Sequence, residues 1–340
     1  MNEADTTVTA ASLKGYIPYK ISRLDNTYMV DWCRLGENRF TEPFFEQTIG
    51  RCLSHPDQRS LLARTPLALI EDYPKHLSGL YPSGFIFHMS RCGSTLVSRM
   101  LASLPKTVVI SEAPPIDVVL RLRYQDPRLT EEERVLLIQQ LIQALCQKRT
   151  GLETCSVIKF DAWSISELPM IERAFPGVPW IFIYRDPVEV LVSHFRKRGM
   201  HMVPGLLEPA LFGMEPDEIH EMPHEEYCAR VLRSICSTAL QNCRAPHTQL
   251  IHYRQLPEAG WTLVPRLFGI ELAPEEETAL RSMAAFHAKS PGLYFRDDSE
   301  EKRASASETL RKEAARWVMP AYHELESLRN AGQPALSDPA

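Results

Sequence analysis

From residue 85 onward, five short apolar runs alternate with stretches of helical periodicity. The runs are FIFHM at 85–89, TVVIS at 107–111, SVIKF at 156–160, PWIFIYR at 179–185 and TQLIHY at 248–253. Runs this short, rich in β-branched and aromatic residues, read as strands buried on both faces. The intervening segments carry the helices: STLVSRMLASL, the stretch after Pro114-Pro115, residues 131–149, ISELPMIERAF with an interruption at Pro169, and DPVEVLVSHFRKR. In 131–149 the apolar residues Val135, Leu136, Ile138, Leu141, Ile142 and Leu145 recur at helical spacing. The pattern predicts an α/β fold, a central parallel sheet between layers of helices. Ligands of such sheets bind beyond the carboxyl ends of the strands. Arg91, Glu112, Lys159, Arg185 and Tyr253 all fall at or just past those ends.

The flanking sequence carries less chemistry. YIPYKISRLDNTYMVDWCRLG predicts two strands about an Asp25-Asn26 turn, and TEPFFEQTIGRCL a short helix capped by Thr41 with Pro43 in its first turn. The turn-rich PKHLSGLYPSG at 74–84 marks a boundary. The expected organisation is an N-terminal extension over 1–80, a P-loop-type domain over 81–330 and a flexible tail over 331–340. Residues 199–223, with four prolines and four methionines, read as a substrate lid or a packed connection. Residues 274–287 and 305–328 read as amphipathic packing helices.

Charge narrows the partners. The 340 residues carry a net charge of -5, which argues against a broad nucleic-acid footprint, so an anion site has to be a local cluster of bases. Eight cysteines, none in a C-x-x-C pair, read as scattered reduced thiols. The first residues show no basic segment followed by an apolar one, and no run reaches the length of a membrane span. A cytoplasmic protein is the expectation.

Two strand-to-helix transitions carry anion chemistry. In FIFHMSRCGSTLVSRML, Gly93 permits close backbone approach, and the helix N-terminus aims amides and partial positive charge at one point. A Walker A loop would have glycine at 88 and lysine at 94; here His88 and Ser94 stand there. An ordinary turn with a serine cap is the plain alternative. In IYRDPVEVLVSHFRKR, a helix starting at Pro187 puts Ser193 and Arg196 on one face, with Arg185 at the strand end. Arginine offers bidentate bonds to phosphate. The alternative is a surface helix whose basic end complements its own dipole, which leaves Arg185 without a reason. Two grips in one sheet suggest a ligand with two separated phosphates.

The pair SRCGSTLVSRML and YRDPVEVLVSHFR resembles the 5′-phosphosulfate loop and the 3′-phosphate motif of sulfotransferases, which use 3′-phosphoadenosine 5′-phosphosulfate (PAPS). Many cytosolic members carry Lys-Ser-Gly-Thr-Thr in the first motif; Arg91-Cys92-Gly93-Ser94-Thr95 is more similar to tyrosylprotein sulfotransferases and some bacterial members. The likeness follows the order of elements over about residues 84–305 and is sharp in the short motifs. It implies a sulfotransferase-like three-layer fold and a set of roles. Arg91, with the amides of Cys92, Gly93, Ser94 and Thr95, would hold the 5′-phosphosulfate. Arg185, Ser193 and Arg196 would hold the 3′-phosphate. Glu112, in ISEAPP, would be the general base, and Lys159, in VIKFD, would bind the group in transfer. Tyr253, Ser290 and Lys302 would complete the nucleotide site. This chain departs from the family in having Tyr253-Arg254 where Tyr-Glu is frequent, and in its spacing around AKSPGLYFRDDSEEKR.

The reaction so implied moves a sulfuryl group from PAPS to a hydroxyl-bearing acceptor and leaves 3′,5′-ADP, with no metal expected. Fixed cations and amides would stabilise the charge on the departing bridging oxygen, and Glu112 would take the acceptor's proton. A P-loop kinase of a small alcohol and a non-catalytic 3′-phosphoadenosine nucleotide-binding protein are the competing readings. His220-Glu221-Met222-Pro223-His224 matches the zinc peptidase signature H-E-x-x-H, but Pro223 breaks the helix that signature needs. The sequence leaves the acceptor and the oligomeric state open.

Overall fold

The structure, a computed structural model, describes residues 10–56, 61–72, 79–244, 247–283 and 298–332. Eight strands form two sheets among the described residues. Strands β1 (Tyr16–Leu24), β2 (Thr27–Arg34) and β3 (Ala63–Pro66) make an antiparallel sheet in that order. Strands β4 (Pro82–His88), β5 (Thr107–Ser111), β6 (Cys155–Lys159), β7 (Trp180–Tyr184) and β8 (Thr248–His252) make the second, in the order β5-β6-β4-β7-β8. The pairs β4/β7, β5/β6 and β7/β8 are all parallel. The α/β class with a central parallel sheet is therefore the one the apolar runs predict. The chain winds from β4 to one side, then crosses β4 to add β7 and β8 on the other. The loop after β4 thus lies at the switch point, where open α/β sheets bind ligands.

Contacts divide the chain into two compact units. The first comprises Met1–Ser83, Ala102–Lys159 and Met170–Pro176. Its hairpin turns at Asp25, whose φ of 50° is the left-handed conformation that such a two-residue turn needs. Trp32 is buried and its indole N–H donates to Thr65 Oγ1 at 2.9 Å. Helix α1 (Phe45–Ser54) starts later than expected: Thr41 does not cap it. Phe44 holds the N-cap position instead, its N–H donating to Gln47 Oε1 at 3.3 Å. The physical reason is burial, since Phe45 stacks on Phe40 at 5.2 Å and faces inward with Thr48, Ile49 and Cys52.

The segment before residue 81 is bound to the rest of this unit by polar contacts. Arg39 donates to the carbonyls of Ala102, Leu104 and Thr107 at 3.0, 2.5 and 3.4 Å. Gln147 accepts from the Gly15 N–H at 3.2 Å and donates to the Tyr16 carbonyl at 2.7 Å. Two helices follow β5, α3 (Pro114–Gln125) and α4 (Glu131–Leu145). Thr130 caps α4, with Glu133 closing the box. The buried stripe of α4 runs through Arg134, Leu137, Ile138, Leu141, Ile142 and Leu145. Val135 is half-buried and Leu136 exposed, so these two apolar residues lie off the face that the spacing assigned them.

The second unit comprises Gly84–Leu101, Phe160–Pro169 and Gly177–Ala340. Helix α2 (Ser94–Ser103) follows β4. A 3₁₀ segment, Ala162–Glu167, gives way at Leu168 to helix α5 (Leu168–Ala174), so Pro169 sits in a first helical turn and does not interrupt a longer helix. Helix α6 (Pro187–Arg196) follows β7, with Pro187 opening it as expected. Its cap is Asp186, which accepts from Val188 N–H at 2.8 Å and Glu189 N–H at 3.3 Å. The stretch 199–223 is ordered as two 3₁₀ turns, Met200–Met202 and Pro209–Phe212, and the short helix α7 (Pro216–Glu221). Helix α8 (His224–Asn242) comes next, and α9 (Pro274–Met283), α10 (Ser299–Ser305), α11 (Glu308–Glu313), a π-helical turn at Ala314–Val318 and α12 (Met319–Asn330) complete the unit. None of the eight cysteines forms a disulfide. Among the described residues no helix is long and apolar enough to cross a membrane.

Candidate active site

In the second unit the loop after β4 is built around three left-handed residues within four positions. Ser90 has φ 70°, Arg91 φ 50° and Gly93 φ 89°. Left-handed conformations at non-glycine residues cost free energy and concentrate at functional sites. His88 fixes the start of the turn: its Nδ1 accepts from the Ser90 N–H at 3.0 Å, so Nε2–H donates to the Phe160 carbonyl at 3.1 Å. Cys92 is buried and its thiol donates to the Ile183 carbonyl at 3.0 Å, which gives it a structural place. Gly93 O receives the amide of Leu96 at 2.9 Å and opens α2, whose first residues, Ser94 and Thr95, are buried. Arg91 reaches the far end of α6, donating from Nη2 to the Lys197 carbonyl at 2.7 Å.

Arg185, one residue past β7, is 4% exposed. Its guanidinium carbon stands 4.0 Å from the centre of the Tyr253 ring, Nε donates to Glu189 Oε2 at 2.5 Å, and Nη2 donates to Asp298 Oδ1 at 2.9 Å and Ser299 Oγ at 3.0 Å. Tyr253 is also the neighbour of the first loop: a Cβ on Gly93 would stand 3.3 Å from Tyr253 Cδ2. The ring therefore stacks on Arg185 and borders the space that a side chain at 93 would fill. Lys302 is buried and pairs with Asp298 Oδ2 at 2.8 Å, and Arg303 pairs with Glu189 Oε1 at 2.6 Å. Arg196 turns to α10 as well, bonding Ser305 Oγ at 3.0 Å and Glu301 Oε1 at 2.9 Å. Ser193 lies half-buried on α6.

The charges of this cluster answer to burial and pairing. Burial works against the Arg185 charge, but the hydrogen bonds of Asp298 and Glu189 outweigh it and raise its pKa. Burial likewise works against ionised Asp298, and Lys302 and Arg185 outweigh it, holding the carboxyl below its ordinary value. Lys302 goes down: burial, with repulsion from Arg185, overcomes the bond to Asp298.

In the first unit, Glu112 and Lys159 meet beyond the level ends of β5 and β6, where Ser111 pairs with Lys159 in register. The Glu112 N–H donates to the Lys159 carbonyl at 2.8 Å, and the Lys159 ammonium bonds Glu112 Oε1. The Lys159 side chain is 0% exposed and that of Glu112 23%. Glu112 holds φ 52°, left-handed backbone of the kind also found at Ser90 and Arg91; the only other non-glycine instance among the described residues is Asp25 in its hairpin. The Lys159 ammonium also stands 5.4 Å over the centre of the Phe44 ring.

Sequence reasoning named Gly93, Arg185, Tyr253 and Lys302, which the structure brings into one connected cluster, and Glu112 and Lys159, which it brings into one pair. Ser290 lies outside the described residues. It missed the acids Glu189 and Asp298 that hold the cations; the i,i+4 spacings Arg185–Glu189 and Asp298–Lys302 were the available signal. It also missed Phe44, for which no motif exists. The H-E-x-x-H match is split as Pro223 requires: α7 ends at Glu221, Met222 is extended, and α8 begins at His224, whose Nε2–H bonds the Met202 carbonyl at 2.9 Å. Among the described residues no cluster of His, Cys, Asp and Glu of metal-binding form occurs.

No family model matches the chain, and no curated protein matches it. Solved structures similar to it include the sulfotransferase domain of the Synechococcus PCC 7002 olefin synthase, at 16% identity and TM-score 0.41, covering 74% of this chain and 95% of that one. A sulfotransferase from Alicyclobacillus acidocaldarius is similar at 14% identity and TM-score 0.40, covering 73% and 96%. A sulfotransferase of Mycobacterium avium is similar at 13% identity and TM-score 0.44, covering 74% and 80%.

Proposed function

We propose that the protein is a PAPS-dependent sulfotransferase acting on a hydroxyl acceptor, with Glu112 as general base. The observation that carries this reading is the Tyr253 ring, in contact range of Gly93 on one side and stacked on Arg185 on the other. It joins a glycine-bearing helix N-terminus to a buried guanidinium, which is the pairing of anion grips that a doubly phosphorylated nucleotide needs. Left-handed backbone at Ser90, Arg91 and Glu112 supports the same assignment, because strain of this kind is kept where a function holds it.

In this reading the nucleotide's 5′-phosphosulfate lies against the amides of Cys92 to Thr95 with Arg91, and its 3′-phosphate against Arg185, Ser193 and Arg196. The acceptor hydroxyl oxygen attacks sulfur in line. The bond from sulfur to the bridging phosphate oxygen breaks, and its electron pair leaves with 3′,5′-ADP. The hydroxyl proton passes to Glu112. Arg91, Lys159 and the α2 amides stabilise charge on the departing oxygen. No step requires a metal. General-base help of this kind is worth ~10²–10⁴ in rate.

Thermal shift decides between readings, because a ligand that binds the native state raises apparent stability by mass action. 3′,5′-ADP is expected to raise Tm without Mg²⁺, and ATP with Mg²⁺ is expected to leave it near the unliganded value. A shift with ATP and Mg²⁺ alone would assign the loop to a kinase. Glu112→Gln is expected to retain the 3′,5′-ADP shift and lose transfer of labelled sulfate from PAPS; full transfer by that variant removes Glu112 as base.

A further inference from the structure

We propose that a cleft between α8 and α12 is a second ligand site, and that it takes a small organic monoanion, a carboxylate or sulfate ester on a short apolar framework. The cleft lies within the second unit and owes nothing to the nucleotide reading. Its volume is about 420 Å³, within the range of small-molecule pockets. Arg233, Ser237 and Leu240 line it from α8, at the spacing of one helical face. Arg316 and Trp317 of the π-helical turn, with Ala321 and Glu324 of α12, line the other side. Pro320, also in that wall, accounts for the turn. It has no N–H, and in a regular helix its ring would meet the carbonyl of Arg316, four residues before; the widened turn between α11 and α12 relieves this.

One end of the cleft is cationic. Three guanidiniums gather about the Trp317 ring: the guanidinium carbons of Arg316, Arg230 and Arg233 stand 4.6, 5.2 and 5.4 Å from its centre. Acids offset two of them: Arg230 pairs with Glu218 at 3.4 Å, and Arg316 with Glu313 at 4.0 Å. Glu313 also accepts from the Trp317 indole N–H at 3.2 Å, which fixes the ring. Arg233 is exposed and makes no ion pair among the described residues. Like charges held round one ring repel. An anion between Arg233 and Arg316 relieves that repulsion and gains charge-assisted bonds. The far end differs. Leu240 follows Arg233 by seven residues and Glu324 follows Arg316 by eight, roughly 10 and 12 Å along their helices. A framework running from the arginines would pass Ala321 and reach Leu240, where Glu324 would repel a second negative charge. The cleft thus selects a single anionic group.

The test titrates the full chain with hexanoate, hexyl sulfate, adipate and hexanol, followed by broadening of the ligand NMR signals. Hexanoate and hexyl sulfate are expected to bind saturably and hexanol not measurably. Adipate, a dianion of the same length as hexanoate, is expected to bind about fivefold more weakly. Arg233→Gln and Arg316→Gln, both at exposed residues, are each expected to weaken hexanoate about fivefold, the worth of one exposed ion pair. Glu324→Gln is expected to bring adipate level with hexanoate. Arg281→Gln removes an exposed arginine stacked on Trp261 at 5.8 Å, outside the cleft, and is expected to leave hexanoate binding unchanged. Absence of saturable hexanoate binding, or equal loss in the Arg281 and Arg233 variants, would overturn the site. Adipate binding to wild type as tightly as hexanoate would overturn the selection of a monoanion.

Discussion

Arg185 and Tyr253 stack at 4.0 Å because the strands that carry them end level. Tyr184 pairs with His252 in the parallel register of β7 and β8, and each strand's next residue turns into the same space. The stack thus follows from strand register, and acids on two helices then fix its charged member: Glu189 on α6 and Asp298 at the start of α10.

Removing the ring should loosen the nucleotide grip without unfolding the unit. A cation–π contact is worth ~0.5–2 kcal/mol depending on burial. Tyr253→Ala is therefore expected to weaken 3′,5′-ADP binding by roughly fivefold, and Tyr253→Phe to retain most of the affinity. Calorimetric titration measures both; equal loss in the two variants would assign the effect to the hydroxyl and not to the ring.

Gly93→Ala should be the most damaging single methyl in the first loop. The residue has φ 89°, and the added Cβ would stand 2.7 Å from Leu256 Cδ1 and 3.3 Å from Tyr253 Cδ2. Left-handed backbone costs an alanine ~1–2 kcal/mol before any clash is counted. The expected outcome is a Tm several degrees lower and 3′,5′-ADP affinity reduced more than tenfold. Wild-type affinity in Gly93→Ala would remove this loop from the phosphosulfate site.

Asp298 competes with any phosphate for Arg185 and Lys302, since it bonds both. Neutralising it should help the ligand and harm the unliganded fold. Asp298→Asn is expected to lower the Tm of the free protein, leaving two buried cations less well compensated, and to tighten 3′,5′-ADP about tenfold, or ~1.4 kcal/mol. A weaker nucleotide in this variant would mean that Asp298 orients Arg185 for the ligand and does not compete with it.

The sheet was legible because its strands are continuous apolar runs, and the candidate site because its residues follow strand ends. FIFHM, TVVIS and PWIFIYR needed no tertiary information to be read as strands. Arg91, Glu112 and Arg185 needed only their positions after those runs. Phe44 could not be read that way. It precedes a helix whose start is set by the burial of Phe45 against Phe40, and its meeting with Lys159 joins residues 115 positions apart with no motif between them. Leu136 failed for a related reason: an apolar residue one position off a 3.6-residue stripe is indistinguishable by composition, and the buried Arg134 on that stripe is a residue no hydrophobic pattern selects.

Acid should loosen the second unit through His252 before it reaches the carboxylates. The Arg254 N–H donates to His252 Nδ1 at 3.1 Å, so the ring proton is on Nε2, which faces the Tyr322 hydroxyl at 3.2 Å. Burial depresses the His252 pKa; Arg329 and Arg254 push the same way, and Glu326 and Glu189 oppose them. The neutral ring is thus the folded form, and protonation would aim a second N–H at the Arg254 amide. A group with its folded pKa below the unfolded value contributes stability that is complete above the unfolded pKa, about 6.5 for histidine, and is lost as pH falls through that value toward the folded one. The depressed carboxyls of Asp298 and Glu326 add their own loss only below about pH 4.5, where unfolded carboxylates begin to protonate. Tm is therefore expected to be level from pH 8 to pH 7 and to decline from pH 6.5 to pH 5. Asparagine at 252 can still accept from the Arg254 amide, as an N-cap side chain does, and cannot take up a proton. His252→Asn is expected to flatten the decline between pH 6.5 and pH 5 while leaving the drop below pH 4.5 in place. The same slope in both proteins across that window would show that His252 is not the group whose protonation destabilises the fold.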